Sequence, residues 1–370
     1  MPQSHDTVLE VDLGALAHNY RLLRSRLLPE TRFLGVVKAY AYGSDSLAIA
    51  KKLESLGADY LAVAFTDEGV FLREGGIRLP ILVLHPQPSG LGDLITHCLE
   101  PSLYSPRILR LFLQEAKARK QKDFPVHLKF NTGLNRLGFW ENDVDWIQGQ
   151  LDTGNTLSIR SVLSHLAASD DLGEAEFTRR QIDGFTRIVG EVREKLPGSP
   201  FFHLLNTSGI FNYPDAQWDM VRSGIGLYGY GNDQEYDKLL RPVARLRTRI
   251  SQLHKIEPGE WVGYNKGFES PGYRTTATLP IGHADGIGRI YGKGRGIFHL
   301  HGKPAPIIGN VCMDMTMIDV TDIPCREGDE VVVYGGPHSA EVLARGAGTI
   351  SYELLTGISR RVAREIRDES

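Results

Sequence analysis

An apolar run, Phe33-Leu34-Gly35-Val36-Val37, stops on Lys38, and Ala39-Tyr40-Ala41-Tyr42-Gly43 follows it. Lysine avoids full burial. A lysine at the end of a run built for burial is therefore either a solvated rim residue or an amine held for chemistry. Other apolar runs end in the same way. One stops near Lys129 and leads through Thr132-Gly133-Leu134-Asn135 to Arg136. Another stops on His165, a third on Asn206-Thr207-Ser208-Gly209, and a fourth carries Arg222 into Ser223-Gly224-Ile225-Gly226. Singly, each has an ordinary explanation. His165 reads as a hydrogen-bonded structural histidine, the arginines as surface ion pairs, and Asn-Thr-Ser-Gly as a turn.

Taken together, these residues suit one chemistry. Backbone N–H groups and hydroxyls in Asn206–Gly209 and Ser223–Gly226 can approach phosphate oxygens closely. A lysine amine across from them can form a Schiff base. A phosphate cup plus such a lysine is what pyridoxal phosphate requires, and an arginine between them can face the pyridine nitrogen.

The elements that would position these residues follow from the pattern. Eight short apolar runs alternate with helical patterns: Arg32 to Lys38, Tyr60 to Phe65, Pro80 to Pro86, Glu100 to Ser105, Pro125 to Thr132, Ser158 to Ala167, Phe201 to Ser208 and Asp219 to Tyr228. The intervening segments include SLAIAKKLESLGA, PRILRLFLQEAKARK and EAEFTRRQIDGFTRIVGEVREKL. Strands alternating with helices predict parallel βαβ units. Eight of them predict an N-terminal (β/α)8 TIM-type barrel, whose chemistry gathers at the C-terminal strand ends. Lys38, Arg136, His165, Asn206–Gly209 and Arg222 all fall on that rim.

After Arg241-Pro242 the texture changes to short strands punctuated by Gly and Pro, among them RTTATLPIGHA, GIFHLHG, MDMTMIDV and DEVVVYGG. The expected division is a barrel domain over 1–242 and a C-terminal mostly-β domain over 243–370, with the first ten or so residues joining the β domain. A final helical pattern, TISYELLTGISRRVAREI, is expected to close the chain, CMDMTMIDV reads as a half-buried strand, and YGKGRG reads as a hairpin turn.

Bulk properties narrow the class. The 370 residues carry a net charge of −3 without a long basic run, which argues against nucleic acid as the partner. No 18-residue apolar stretch predicts a membrane span. The polar start, MPQSHDTVLE, lacks the apolar core of a signal peptide. Cys98, Cys312 and Cys325 are scattered and odd in number, as expected of a reduced cytoplasmic protein. His299 and His301 share a strand face, but no third ligand stands at suitable spacing, so no metal is expected.

The sequence resembles the alanine racemase family. The carriers are VVKAYAYG (36–43), LKFNTGLNRLGF (128–139), SHLAASD (164–170), LNTSGIF (205–211), VRSGIGLYG (221–229), GYNKGF (263–268) and GNVCMDMTMIDV (309–320), in family order over nearly the whole chain. The resemblance implies a pyridoxal-phosphate barrel, a C-terminal β domain, and a head-to-tail homodimer whose partner chain completes each site. It implies that Lys38 holds the cofactor as a Schiff base and serves as base on the D-alanine face. Tyr264 of the partner subunit would be the base on the L-alanine face. Arg222 would bond the pyridine nitrogen, with His165 linking Arg222 towards Tyr264. Arg136 and the Met313 backbone would bind the substrate carboxylate, and Tyr42, Asn206, Thr207, Gly224 and Ile225 the phosphate. Lys129 matches a position carbamylated in many members. The product, D-alanine, would supply cell-wall peptidoglycan.

On its residues alone Tyr264 reads as an ordinary strand tyrosine. Racemisation nevertheless needs a proton removed from one face of Cα and returned on the other, so two opposed bases make chemical sense. Tyrosine ordinarily titrates near 10, and neighbouring arginines would favour its phenolate. Arginine on the pyridine nitrogen leaves that nitrogen unprotonated. Basic amino-acid decarboxylases with a similar barrel place a carboxylate there, and non-catalytic cofactor carriers lack a β domain. Tyr40, Ser44, Asn131, His283 and Arg360 depart from the usual family residues and bear on the substrate pocket more than on the reaction. At Arg360 some members place a phosphate-binding tyrosine.

Overall fold

The computed structural model describes residues 6–151 and 155–368. The contacts divide the chain into two compact units. One comprises Ala17–Ala41 and Ser46–Leu240; the other comprises Met1–Leu16, Tyr42–Asp45 and Arg241–Ser370.

The first unit is the expected barrel. After β1 (Val8–Asp12), eight strands close in chain order: β2 (Arg32–Val36), β3 (Tyr60–Val63), β4 (Ile81–Val83), β5 (Glu100–Leu103), β6 (Phe124–Lys129), β7 (Leu157–Leu163), β8 (Phe201–His203) and β9 (Met220–Ser223). All pair in parallel, and β9 returns to β2 through Arg32↔Met220 to Gly35↔Ser223. Each of the eight apolar runs supplies one strand. The helical patterns become Ser46–Ser55, Pro106–Ala118 and Ala175–Lys195. In the second of these, Ser105 caps the helix by accepting from the Ile108 amide, and Pro106 opens it. Its buried face is Ile108, Leu109, Phe112 and Ala116, the 3.6-residue stripe of an amphipathic helix.

The second unit holds β10 (Ala244–Arg249), β11 (Gln252–Ile256), β12 (Trp261–Val262), β13 (Phe268–Glu269), β14 (Arg274–Leu279), β15 (Ile297–Leu300), β16 (Lys303–Pro306), β17 (Thr316–Asp319), β18 (Glu330–Tyr334) and β19 (Ala363–Arg367). A six-stranded sheet runs β16-β15-β18-β10-β1-β19, and β11-β14-β17 form a second. β1 thus pairs inside this unit, antiparallel to β10 and parallel to β19. Residues 1–5 of the leading segment lie outside the described residues. The β1 carboxylate Glu10 is buried and receives Arg247 at 2.6 Å, Arg245 at 3.0 Å and Arg367 at 2.5 Å. Burial pushes its pKa up, but these arginines hold it below the usual carboxylate value, fastening β1 to both neighbours.

Four sequence expectations are corrected here. The closing segment is not one helix: Ser351–Thr356 is helical, Gly357 follows it, and Ala363–Arg367 is a strand beside β1. Val362 and Ile366 lie four apart, a spacing that suits a helical stripe and a period-two strand equally. CMDMTMIDV is strand only from Thr316, and Met313 and Met315 are exposed ahead of it. YGKGRG is a turn between the short helix Arg289–Tyr291 and β15, not the tip of a hairpin. His299 and His301 do not share a strand face: His299 lies in β15 and stacks on His338 at 3.4 Å between ring centroids, whereas His301 lies in the turn after it, 3.4 Å from Asp329.

Candidate active site

The barrel's C-terminal rim gathers cations. Lys38 stands two residues after β2, Lys129 ends β6, Arg222 lies in β9, and His165 follows β7. Arg136 and Arg222 both act on Lys129. His165 feels Arg222, Arg136, Lys129 and Lys38. Burial first, then Arg136, lowers the Lys38 pKa, partly countered by Glu68. Lys129 is pushed down to about 8, by burial first and then by Arg136, Arg222 and Lys38. Neither lysine has a carboxylate within ion-pair distance among the described residues. Buried charges are normally paired, so this group of cations is built for anions that the chain itself does not supply.

Arg222 is 4% exposed. Its Nη1 donates to His203 Nδ1 (2.8 Å) and His203 O (3.1 Å). Its Nη2 donates to Ser164 O (2.6 Å), Leu204 O (3.0 Å) and His165 Nδ1 (3.2 Å). Among the described residues Nε–H alone has no protein acceptor, so the guanidinium is clamped at both ends with one donor to spare. Arginine only donates, which makes Nδ1 of both histidines the acceptor and places the ring proton of each on Nε2. Burial, then Arg222, holds both imidazoles neutral, with pKa values well below the usual histidine value.

Lys38 is followed by an unusual turn. Ala39, Tyr40, Ala41 and Tyr42 all have positive φ, between 52° and 56°. A left-handed turn of non-glycine residues costs roughly 1–2 kcal/mol per residue, so neighbouring groups must hold it. Glu68 does so: its carboxylate accepts from the Ala39 amide at 2.6 Å and from Ala64 and Phe65 on the adjacent loop at 2.7 and 3.1 Å. No sequence motif announced Glu68 or His203, because both act through partners far away in the chain.

The other rim loops are held as firmly. Asn131 Oδ1 accepts from the Gly133 and Asn135 amides, and its Nδ2 donates to Asn135 Oδ1 at 2.8 Å. That last bond needs an amide donor, which an ionised aspartate at this position could not supply. Gly138 closes the loop after Arg136 at φ 136°; a Cβ there would lie 2.5 Å from the Asn131 amide nitrogen. Asn206 caps the helix Thr207–Asn212 by accepting from the Gly209 amide. Thr207 Oγ1 pairs with Ser223 Oγ at 3.0 Å and accepts from the Gly226 amide at 3.2 Å. This ties the Asn206–Gly209 loop to the loop of Gly224 and Ile225.

Within the second unit, Tyr42 is buried and its ring lies 6.0 Å from that of Tyr352. Tyr352, not the exposed Arg360, is the residue found beside Tyr42. Gly43 next to it admits no side chain, since a Cβ would lie 2.0 Å from Leu355 O. Tyr264 opens a short helical turn, Tyr264–Lys266, rather than standing in a strand, and is 72% exposed. Its carbonyl accepts from Asn310 Nδ2. Met313 is 59% exposed. The His283 and Ala284 amides donate to Cys312 O and Met313 O, an approach that Gly282 permits because a Cβ there would lie 2.3 Å from Met313 O.

The residues present fit pyridoxal phosphate. Its pyridine nitrogen needs one donor, and Arg222 Nε–H is left over. Its aldehyde needs a neutral amine, and burial favours that form of Lys38. Its anionic groups need cations without carboxylates, which the rim provides.

Comparison with known proteins agrees. Residues 11–232 match the family model described as Alanine racemase, N-terminal domain, and residues 243–366 match Alanine racemase, C-terminal domain. Alanine racemase 1 of Clostridium acetobutylicum is 36% identical over 365 residues, covering 96% of this chain and 94% of that one. The solved alanine racemase of Clostridium difficile 630 has a TM-score of 0.92 at 33% identity, covering 99% of this chain and 97% of that one. The alanine racemase structure from Bartonella henselae, with covalently bound pyridoxal phosphate, has a TM-score of 0.89 at 27% identity, covering 98% of this chain and 100% of that one.

Proposed function

The chain belongs to the alanine racemase family, and from that premise we propose how its own residues carry the reaction. The chain interconverts L-alanine and D-alanine with pyridoxal phosphate as cofactor. The observation that carries the assignment of roles is the clamped Arg222 with its spare Nε–H, set among lysines that have no carboxylate partner.

Lys38 would hold the cofactor through its amine, Arg222 Nε would face the pyridine nitrogen, and Tyr42, Asn206, Thr207, Gly224 and Ile225 would hold the phosphate. When bound, pyridoxal phosphate withdraws electrons from the substrate's Cα and makes its proton removable. Arg222 keeps its own proton, so the pyridine nitrogen stays unprotonated and electron withdrawal is moderated. Arg136 and the Met313 backbone of the partner subunit fix the substrate carboxylate. Lys38 takes or returns the proton on the D-alanine face; Tyr264 of the partner subunit does so on the L-alanine face. His165 offers Nε2–H as a donor, because Nδ1 is occupied by Arg222, and so can link Arg222 towards Tyr264.

The working form is a homodimer, and the product supplies D-alanine for peptidoglycan in the cytoplasm. Support for the dimer is the exposure of Tyr264 and Met313, along with Trp261, Tyr273 and Met315, on the second unit, large apolar side chains of the kind an interface covers. Sedimentation equilibrium is expected to give twice the chain mass; a monomer would remove Tyr264 from the site.

The direct test of the function is optical rotation. Purified holoenzyme should drive L-alanine to zero rotation, with serine slower. Rotation unchanged with cofactor bound would reject the reading. A second expectation concerns Lys129. With its pKa near 8, a large share of the amine is neutral at mildly alkaline pH and can add carbon dioxide to give a carbamate beside Arg136. In 13C-bicarbonate the protein should develop a carbamate carbon resonance that strengthens from pH 7 to 9 and is missing in Lys129→Ala. A wild-type spectrum without it would show the amine to be unmodified.

A further inference from the structure

A hydrogen-bonded line of buried side chains leaves Arg222 from Nη1, not from its spare Nε–H. Arg222 Nη1 donates to His203 Nδ1 at 2.8 Å, and His203 Nε2 lies 2.9 Å from Ser161 Oγ. Ser161 Oγ lies 2.5 Å from His127 Nδ1, and His127 Nε2 lies 2.7 Å from Glu100 Oε2. His203, Ser161 and His127 are wholly buried. Beyond Glu100, Tyr60 OH donates to Glu100 Oε2 at 3.3 Å and accepts from Arg160 Nε at 3.3 Å. Tyr60 and Arg160 line a cavity of about 920 Å³ together with Asp123, Arg193 and Asp219. The line therefore joins the barrel's catalytic rim to an opening elsewhere on the same unit, through six strands.

Elementary donor counting fixes its polarity. Arg222 can only donate, so His203 Nδ1 accepts and Nε2 carries the proton. His203 Nε2–H then donates to Ser161 Oγ. The single Ser161 hydroxyl proton goes to His127 Nδ1, which leaves His127 protonated at Nε2 and donating to the Glu100 carboxylate. The alternative, an imidazolium at His127, would give Ser161 Oγ two donors and leave its own proton without an acceptor among the described residues. Every bond in the line points from the guanidinium to the carboxylate, and aligned bonds of this kind polarise one another. Among the described residues no carboxylate pairs with Arg222 directly. The neutral state of His203, favoured first by burial and then by the Arg222 charge, agrees with this arrangement.

We propose that Glu100 is a positioning residue for the racemase reaction: through His127, Ser161 and His203 it acts as the remote counter-charge that keeps Arg222 protonated and aimed. The proposal rests on the reading that Arg222 faces the pyridine nitrogen. If the line is cut, Arg222 becomes a better proton donor to that nitrogen, electron withdrawal strengthens, and transamination should gain on racemisation.

The test uses Glu100→Gln, whose Oε1 can still accept from His127, and Ser161→Ala, which removes the middle link. Folding is judged by thermal midpoint and cofactor content. In each folded variant the ratio of transamination to racemisation is expected to rise, by up to about tenfold, the worth of one charge-assisted hydrogen bond. The double variant should do no more than either single one. Arg222→Glu, with Arg222→Lys as a second variant in case the first fails to fold, reports separately on the underlying reading. A raised ratio there, with unchanged ratios in Glu100→Gln and Ser161→Ala, overturns the line but leaves the Arg222 role standing. An independent readout needs no cofactor. In 15N-histidine spectra of the cofactor-free protein at the pH of the racemase assay, His127 and His203 should each show a bare Nδ1 and a protonated Nε2. Glu100→Gln should shift the His127 Nε2 proton upfield. A protonated Nδ1 at either histidine would overturn the proposal.

Discussion

Replacing Lys38 by alanine should lower racemisation in both directions by at least about 10⁴-fold, because one change removes both the amine proposed to hold the cofactor and one of the two proposed bases. Its surroundings argue for that double role. Burial, with Arg136 adding to it, lowers the pKa of the amine, so the neutral, nucleophilic form is more available near neutrality than in a solvated lysine. The turn after it is left-handed over four residues and is held by Glu68. That strain is local to the position from which the amine must project. Lys38 is only half-buried, so the variant should fold. The visible absorbance of the lysine-bound cofactor should vanish while cofactor can still bind reversibly through the phosphate loops. Retention of that band would mean the anchor is another residue.

Tyr264→Phe is expected to cost about 10²- to 10⁴-fold in racemisation, the range for loss of a general acid–base group. The side chain is 72% exposed in the chain and its hydroxyl makes no bond to the described residues, so stability should hardly change. Asn310 grips the Tyr264 carbonyl and not the phenol, and the turn should survive the substitution. The loss should fall on kcat more than on KM, because the aromatic ring remains and only the proton-transferring hydroxyl is removed. A variant with wild-type kcat would remove Tyr264 from the chemistry.

Much of this architecture was legible in the sequence, for physical reasons. Parallel strands buried on both faces read as continuous apolar runs, and Lys38, Lys129 and His165 stand at the ends of three of them. Asn206–Gly209 was legible as a loop because its composition demands one. What escaped notice depends on partners distant in the chain. Glu68 looks like any first-turn acid of a helix, yet its carboxylate serves the turn after Lys38. His203 is one residue of an apolar strand until Arg222 is placed beside it. Tyr352 drew no notice because the final segment reads as one helix, although Gly357 is an ordinary helix stop. The left-handed turn has no signature at all, since Ala-Tyr-Ala-Tyr favours other conformations. Asn131 was noted only as a departure from the family; its amide nitrogen bond to Asn135 gives it a structural reason.

The proposed reaction sets two bases against opposite faces of the same carbon. The measurement that meets it most directly is α-proton exchange in deuterium oxide with Tyr264→Phe, each enantiomer of alanine incubated separately and read by proton NMR and chiral chromatography. D-alanine should exchange its α-proton without inversion, because Lys38 still works on that face, and L-alanine should exchange far more slowly. Equal loss of exchange from both enantiomers, or exchange of L-alanine alone, would contradict the assignment.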